Sequence, residues 1–176
     1  VYLSGYHYNS QKDIGVKGNT KWSSRMVSSD NEKFGKNLKE GFVNTINKLL
    51  DNNISVILVY PLPELGWNPL RSYQNYKNDF VSFTSEEEIL TINYDDFKIR
   101  SKESFELLDS IESDNIYRVY PHKLFCNTKF NGKCITEDEK KLYYFDDDHL
   151  SLEGSKLLTD LINIEIKKIL EIKNLN

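Results

Sequence analysis

Ile54-Ser55-Val56-Ile57-Leu58-Val59-Tyr60 is apolar at nearly every position, with Asp51-Asn52-Asn53 before it and Pro61 and Pro63 after it. A strand with one wet face alternates apolar and polar residues. A run this continuous reads instead as a strand covered on both faces, the pattern of parallel strands in α/β proteins. The prolines end it, because each removes a ladder donor. The loop Glu64-Leu65-Gly66-Trp67-Asn68-Pro69 then leaves the strand at its carboxyl end.

The flanking segments fit that choice. Phe34, Leu38, Phe42, Ile46 and Leu49 recur at helical spacing, so an amphipathic helix is expected over 33–51. Others are expected over 71–80, over 101–112 (carrying Phe105, Leu108 and Ile111) and over 152–172, with Ser151 as the last one's N-cap. Ile116 to Tyr120 reads as a second strand stopped by Pro121. Val1 to Leu3 reads as the end of another, opening into the loop Ser4-Gly5-Tyr6-His7-Tyr8, and 9–33 as a long surface loop. The alternation of strand and helix predicts a layered α/β domain with a mostly parallel sheet. Ligand sites in such sheets lie beyond the carboxyl ends of the strands. The Gly5 loop, the loop from Pro61 to Pro69 and the loop carrying His149 should therefore meet on one edge.

A chain of 176 residues is enough for one domain with a real core. With 28% charged residues, a net charge of −4 and scattered lysines, nothing points to nucleic acid. The longest apolar run, Ile54 to Leu62, falls well short of the roughly 20 residues that span a bilayer. The chain starts at Val1, directly in a strand-like segment and without a signal-like sequence, so it is expected to be the N-terminally truncated remainder of a longer chain.

Chemistry concentrates in Asp146-Asp147-Asp148-His149-Leu150-Ser151, which runs on to Gly154. A carboxylate three positions before a histidine, on a loop entering a helix, can reach one imidazole nitrogen and leave the other to take a proton from a serine hydroxyl. A solvated acidic turn is the alternative. A divalent cation on the acidic run would need further ligands that the sequence does not point to, so no metal is expected. Cys126 and Cys134 flank seven residues that include Asn131-Gly132, a turn able to bring them within bridging distance. In an oxidising compartment they form a disulfide; otherwise they are two thiols on a loop. His122, after Pro121, reads as structural, and His7 as a weak substrate-contact candidate. Trp67 and the tyrosines near Gly5 could stack on a sugar or simply fill their own loop. Ser29-Asp30-Asn31 and Ser113-Asp114-Asn115 echo penicillin-interacting enzymes, but Ser-x-x-Lys and Lys-Thr-Gly are absent.

Four stretches together resemble the SGNH-hydrolase-like domain that follows the membrane part of bacterial OafA-type (acyltransferase family 3) O-acyltransferases. They are Val1 to His7, the run Val56 to Gly66 with its Pro-Leu-Pro-Glu end, the cysteine pair, and Tyr144 to Ser151 with Gly154. The resemblance implies a three-layer α/β/α sandwich whose N-terminal strand is missing here. It also implies acyl transfer, acetyl above all, to hydroxyls of a cell-surface glycan. Asp146 and His149 would be catalytic, and the Gly5 amide would serve the oxyanion. No cofactor is implied. The implied partners are an acyl donor, a glycan acceptor and an upstream membrane acyltransferase domain, on the periplasmic side of a bacterial inner membrane. The family's nucleophile lies in a Gly-Asp-Ser segment that this chain lacks; Ser4 follows the wrong strand, and Ser110 falls in an expected helix. The serine is therefore expected upstream and the present chain inert by itself. The Tyr6-His7 pair also departs from the family pattern. A secreted esterase with the same residues and a non-enzymatic glycan-binding domain remain as alternatives.

Overall fold

The computed structural model describes residues 30–66, 69, 74, 91–139 and 141–174. The first helix, α1 (Asp30–Asp51), leads through Asn52 and Asn53 into β1 (Val56–Val59). Asn53 turns the chain in the left-handed region, at φ 57°, a conformation that asparagine tolerates better than most residues. Next come β2 (Thr91–Asn93), α2 (Tyr94–Asp109), β3 (Ile116–Val119) and the single-turn α3 (His122–Phe125). Three short strands, β4 (Lys133–Ile135), β5 (Glu137–Asp138) and β6 (Lys141–Leu142), precede the closing helix α4 (Leu152–Asn174).

The fold is mixed α/β. β1 and β3 pair in parallel, with Val56 opposite Ile116 and Val59 opposite Val119. The other pairs among the described residues are antiparallel, β2 with β4 and β5 with β6, so the mostly parallel sheet expected from the sequence is only partly seen. The helix expected over 101–112 is also corrected. It begins at Tyr94, where Asn93 Oδ1 accepts the Asp95 N–H at 2.8 Å and Asp95 and Asp96 face the helix dipole. It ends at Asp109, which places Ser110 at the C-cap and not inside the helix. Residues 30–33, expected to close a surface loop over 9–33, are instead the first turn of α1. The rest of that loop, the helix expected over 71–80 apart from Gln74, the Val1–Leu3 strand, Gly5, His7, Ser4 and Trp67 lie outside the described residues.

Two apolar clusters support the site. Phe42 and Ile46 of α1 pack on Val56, Leu58 and Tyr60 from the β1 segment and on Leu108, Ile111 and Ile116. The Tyr60 hydroxyl donates to the Asp109 carboxylate and accepts from Arg118 Nε at 3.2 Å, while Arg118 also donates to the Ile111 carbonyl at 2.6 Å. The end of β1 is thereby tied to the α2–β3 connection. The second cluster is Leu62, Phe125, Cys126, Cys134 and Ile135, with Leu150 and Leu157 against it. Cys126 and Cys134 are joined by a disulfide, and closing so short a loop stabilises the fold by about 2–3 kcal/mol in the chain-entropy account. Gly132, at φ 72°, makes the turn between them, its N–H donating to Asn127 Oδ1 at 2.7 Å.

His122 is 7% exposed and ringed by Tyr94, Phe97, Phe105 and Tyr120 at centroid distances of 5.4–6.1 Å. Burial first, and then the charge of Lys123, push its pKa down to about 4. An unfolded histidine titrates near 6.5, so between about 6.5 and 4 the unfolded chain binds the extra proton and stability is lost as the pH is lowered. The unfolding free energy relative to His122→Phe is expected to drop by on the order of 3 kcal/mol from pH 7 to pH 4. Urea titrations of both proteins across that range check this; a difference independent of pH would refute it.

Candidate active site

The loop that carries His149 is a tight antiparallel reversal. Tyr144 and Leu150 form a bridge, the Phe145 N–H donates to the His149 carbonyl at 2.8 Å, and the Ser151 N–H donates to the Tyr143 carbonyl at 2.9 Å. Tyr144 is buried against Phe125, and Leu150 leans on the cluster that holds the disulfide. The three aspartates form the turn itself. Asp146 Oδ1 accepts the N–H of Asp148 at 3.1 Å and of His149 at 2.7 Å, the self-bracing that favours Asx residues in turns.

The same Asp146 carboxylate reaches the imidazole, with both oxygens 3.0 Å from His149 Nδ1. That is the relation the i, i+3 spacing predicts. Asp148 Oδ1 also stands 2.8 Å from Nδ1, an approach that the i, i+3 spacing does not predict. One nitrogen carries one proton, so the two carboxylates are not equivalent. Although partial burial works the other way, the backbone bonds and the imidazole hold the Asp146 carboxyl below its ordinary range. Asp148 is pushed up by burial and by its carboxylate neighbours. The imidazole is held above its ordinary range, by its hydrogen bond to Asp146 first and then by the charge of Asp148. With Nδ1 engaged and the side chain 71% exposed, Nε2 is the nitrogen left to exchange a proton with a reacting group.

The supports on either side are backbone contacts and a cap. Ser151 Oγ accepts the Gly154 N–H at 3.2 Å and donates to the Leu142 carbonyl at 2.5 Å, so it is the N-cap of α4. Gly154 lies so close to the Tyr143 carbonyl that a β-carbon would stand 2.2 Å from its oxygen. On the other flank, the Leu65 N–H donates to the Asp147 carbonyl at 2.7 Å. Two of the three loops expected to share one edge therefore touch. The third, with Gly5 and His7, lies outside the described residues.

Asp146, Asp148 and His149 place one ligand atom each within 4.8 Å of one another. These three donors, two of them part-buried, fall short of the six or more oxygens that a calcium-type site takes. A concavity lined by Asp109, Glu112, Ser113, Asp114 and Arg118 shares no residue with this loop and holds no imidazole.

Residues 1–163 match the family described as "SGNH domain (fused to AT3 domains)". The chain belongs to this family. As an SGNH domain it is of hydrolase and acyltransferase type, and such domains are fused to acyltransferase domains. It is also similar to an uncharacterized lipoprotein, BBD10, of Borreliella burgdorferi strain B31, with 28% identity over 102 residues. That stretch covers 54% of this chain and 50% of the relative, so the chain spans about half the length of the curated relative it matches. No solved structure matches this SGNH domain. Among its described residues no helix is long and apolar enough to cross a membrane.

Proposed function

We propose that this domain transfers an acyl group, acetyl above all, to a hydroxyl of a bacterial cell-surface glycan by serine–histidine–aspartate chemistry. The observation that carries the reading is the Asp146 carboxylate, braced by two backbone amides, on Nδ1 of an exposed His149. The serine comes from a Gly-Asp-Ser segment outside these 176 residues, in a single SGNH unit completed to a three-layer sandwich by its first strand.

A serine Oγ attacks the acyl carbonyl while His149 Nε2 takes its proton, and Asp146 stabilises the imidazolium that forms. The imidazolium then gives that proton to the leaving group, which leaves an acyl-serine. In the second half His149 removes the proton of the acceptor hydroxyl, which attacks the acyl-serine and regenerates the serine. Backbone amides, Gly5 among the candidates, stabilise the oxyanion of both steps. Family membership and a lipoprotein relative support a place in the cell envelope, and we propose the periplasmic side of the inner membrane. A second reading is a secreted esterase with the same residues, in which water replaces the glycan.

The complete polypeptide should release nitrophenol from p-nitrophenyl acetate and His149→Ala should not. Addition of a glycan acceptor should divert the acetyl group from water to sugar. Release that persists in His149→Ala would overturn the catalytic assignment; hydrolysis without diversion would favour the esterase.

A further inference from the structure

We propose that Phe145 is the acceptor-binding platform of this site and that its ring packs on the C–H face of a neutral sugar. The inference rests on the glycan reading above and names the surface that would hold the glycan. In an antiparallel pair, residues directly opposite project from the same side, and their neighbours project from the other. Tyr144 and Leu150 are bridged and point toward the core, so Phe145 and His149, the next opposed pair, point out together. The exposures agree with this register: Tyr144 is 1% exposed and Phe145 68%.

An isolated exposed apolar residue is ordinary on a protein surface. Phe145 differs in its position, since a backbone hydrogen bond fixes it opposite the residue proposed to exchange the proton. A flat ring on the same face as the imidazole suits a substrate with one apolar face and a hydroxyl at its rim, which describes a pyranose. A bound acetyl group presents only a methyl and would leave most of the ring bare. The adjoining carboxylates of Asp146, Asp147 and Asp148 can accept sugar hydroxyls but repel an anionic sugar, which is why the proposal specifies a neutral ring.

The test is a chemical-shift titration of the complete polypeptide with methyl β-D-glucopyranoside, and with the corresponding glucuronide as the anionic comparator. Phe145→Ala should weaken glucoside binding roughly three- to tenfold, the range of an aromatic stacking contact. Phe145→Leu, which stays apolar but loses the flat face, should behave like the alanine variant, and Phe145→Trp should retain binding. The glucuronide should bind more weakly than the glucoside. In the acetyl-transfer assay the ratio of transfer to hydrolysis should fall with binding. Wild-type-like affinity in both the Ala and Leu variants, no glucoside binding by the wild type, or a glucuronide that binds equally well would each overturn the proposal. Nitrophenol release that persists in His149→Ala, with the titration pattern intact, would overturn the catalytic reading and leave this one standing.

Discussion

Asp146→Asn in the complete polypeptide is expected to lower acyl transfer by roughly three to four orders of magnitude. An asparagine oxygen can still accept the Asp148 and His149 amides, so the turn survives. The side chain then presents an NH2 donor to Nδ1. Nδ1 must become an acceptor and the proton moves to Nε2, which is the wrong tautomer for a base. Asp148→Asn removes a charge 2.8 Å from Nδ1 but leaves the braced carboxylate in place. The imidazole pKa, held up by both carboxylates, should then fall toward its ordinary value. A base works in its neutral form, so the acid limb of the pH–rate profile should move to lower pH with little change in the plateau. His149→Ala should match or exceed the Asp146→Asn loss, and the double variant should be little worse, since members of one catalytic unit are not additive. Profiles of kcat/KM from pH 5 to 8 decide the matter. A crippled Asp148→Asn beside a near-normal Asp146→Asn would reverse the assignment.

Gly154→Ala should destabilise the fold by about 3 kcal/mol, the upper range for forcing extra atoms into a packed site. The added β-carbon would meet the Tyr143 oxygen at 2.2 Å and Leu150 Cδ2 at 3.0 Å. The carbonyl cannot easily retreat, because it accepts the Ser151 N–H. The first turn of α4 has to move instead, and with it the Ser151 cap and the reversal that presents His149. Activity should therefore fall along with the thermal midpoint. Gly41→Ala is the matched comparison: it lies in α1 with nothing within 4 Å of the added carbon, so there the change should stabilise by about 0.5–1 kcal/mol. Thermal unfolding of the two variants should show shifts of opposite sign, and equal shifts would remove the close-contact argument.

Elements whose residues carry their own reason to fold were legible in the sequence. The apolar run around Val56–Val59, the Ile116 strand, the first helix and the capped last helix all appear within a few residues of their expected positions. The start of α2 was missed because its first turns, from Tyr94 to Arg100, have few core-facing apolar residues. The usable signal was Asn93 followed by Asp95 and Asp96, a cap with dipole-facing acids. The antiparallel strands β2, β4, β5 and β6 are two or three residues long, too short for any period to show, and partners distant in sequence hold some of them together. Within the site, the i, i+3 relation of Asp146 and His149 could be read because a turn's geometry follows from spacing. The approach of Asp148 to Nδ1 and the outward pairing of Phe145 depend on how the reversal closes, which spacing alone leaves open.

The contact between the Leu65 amide and the Asp147 carbonyl is made wholly by main-chain atoms. Any side chain at 147 supplies the same carbonyl, so drift at that position can change the loop's charge while the two strand ends stay latched. At position 65 the only chemical veto on the donor is proline, which has no N–H. A domain latched in this way could adapt the rim of its site to new substrates, one residue at a time, without re-evolving the frame that aims its histidine.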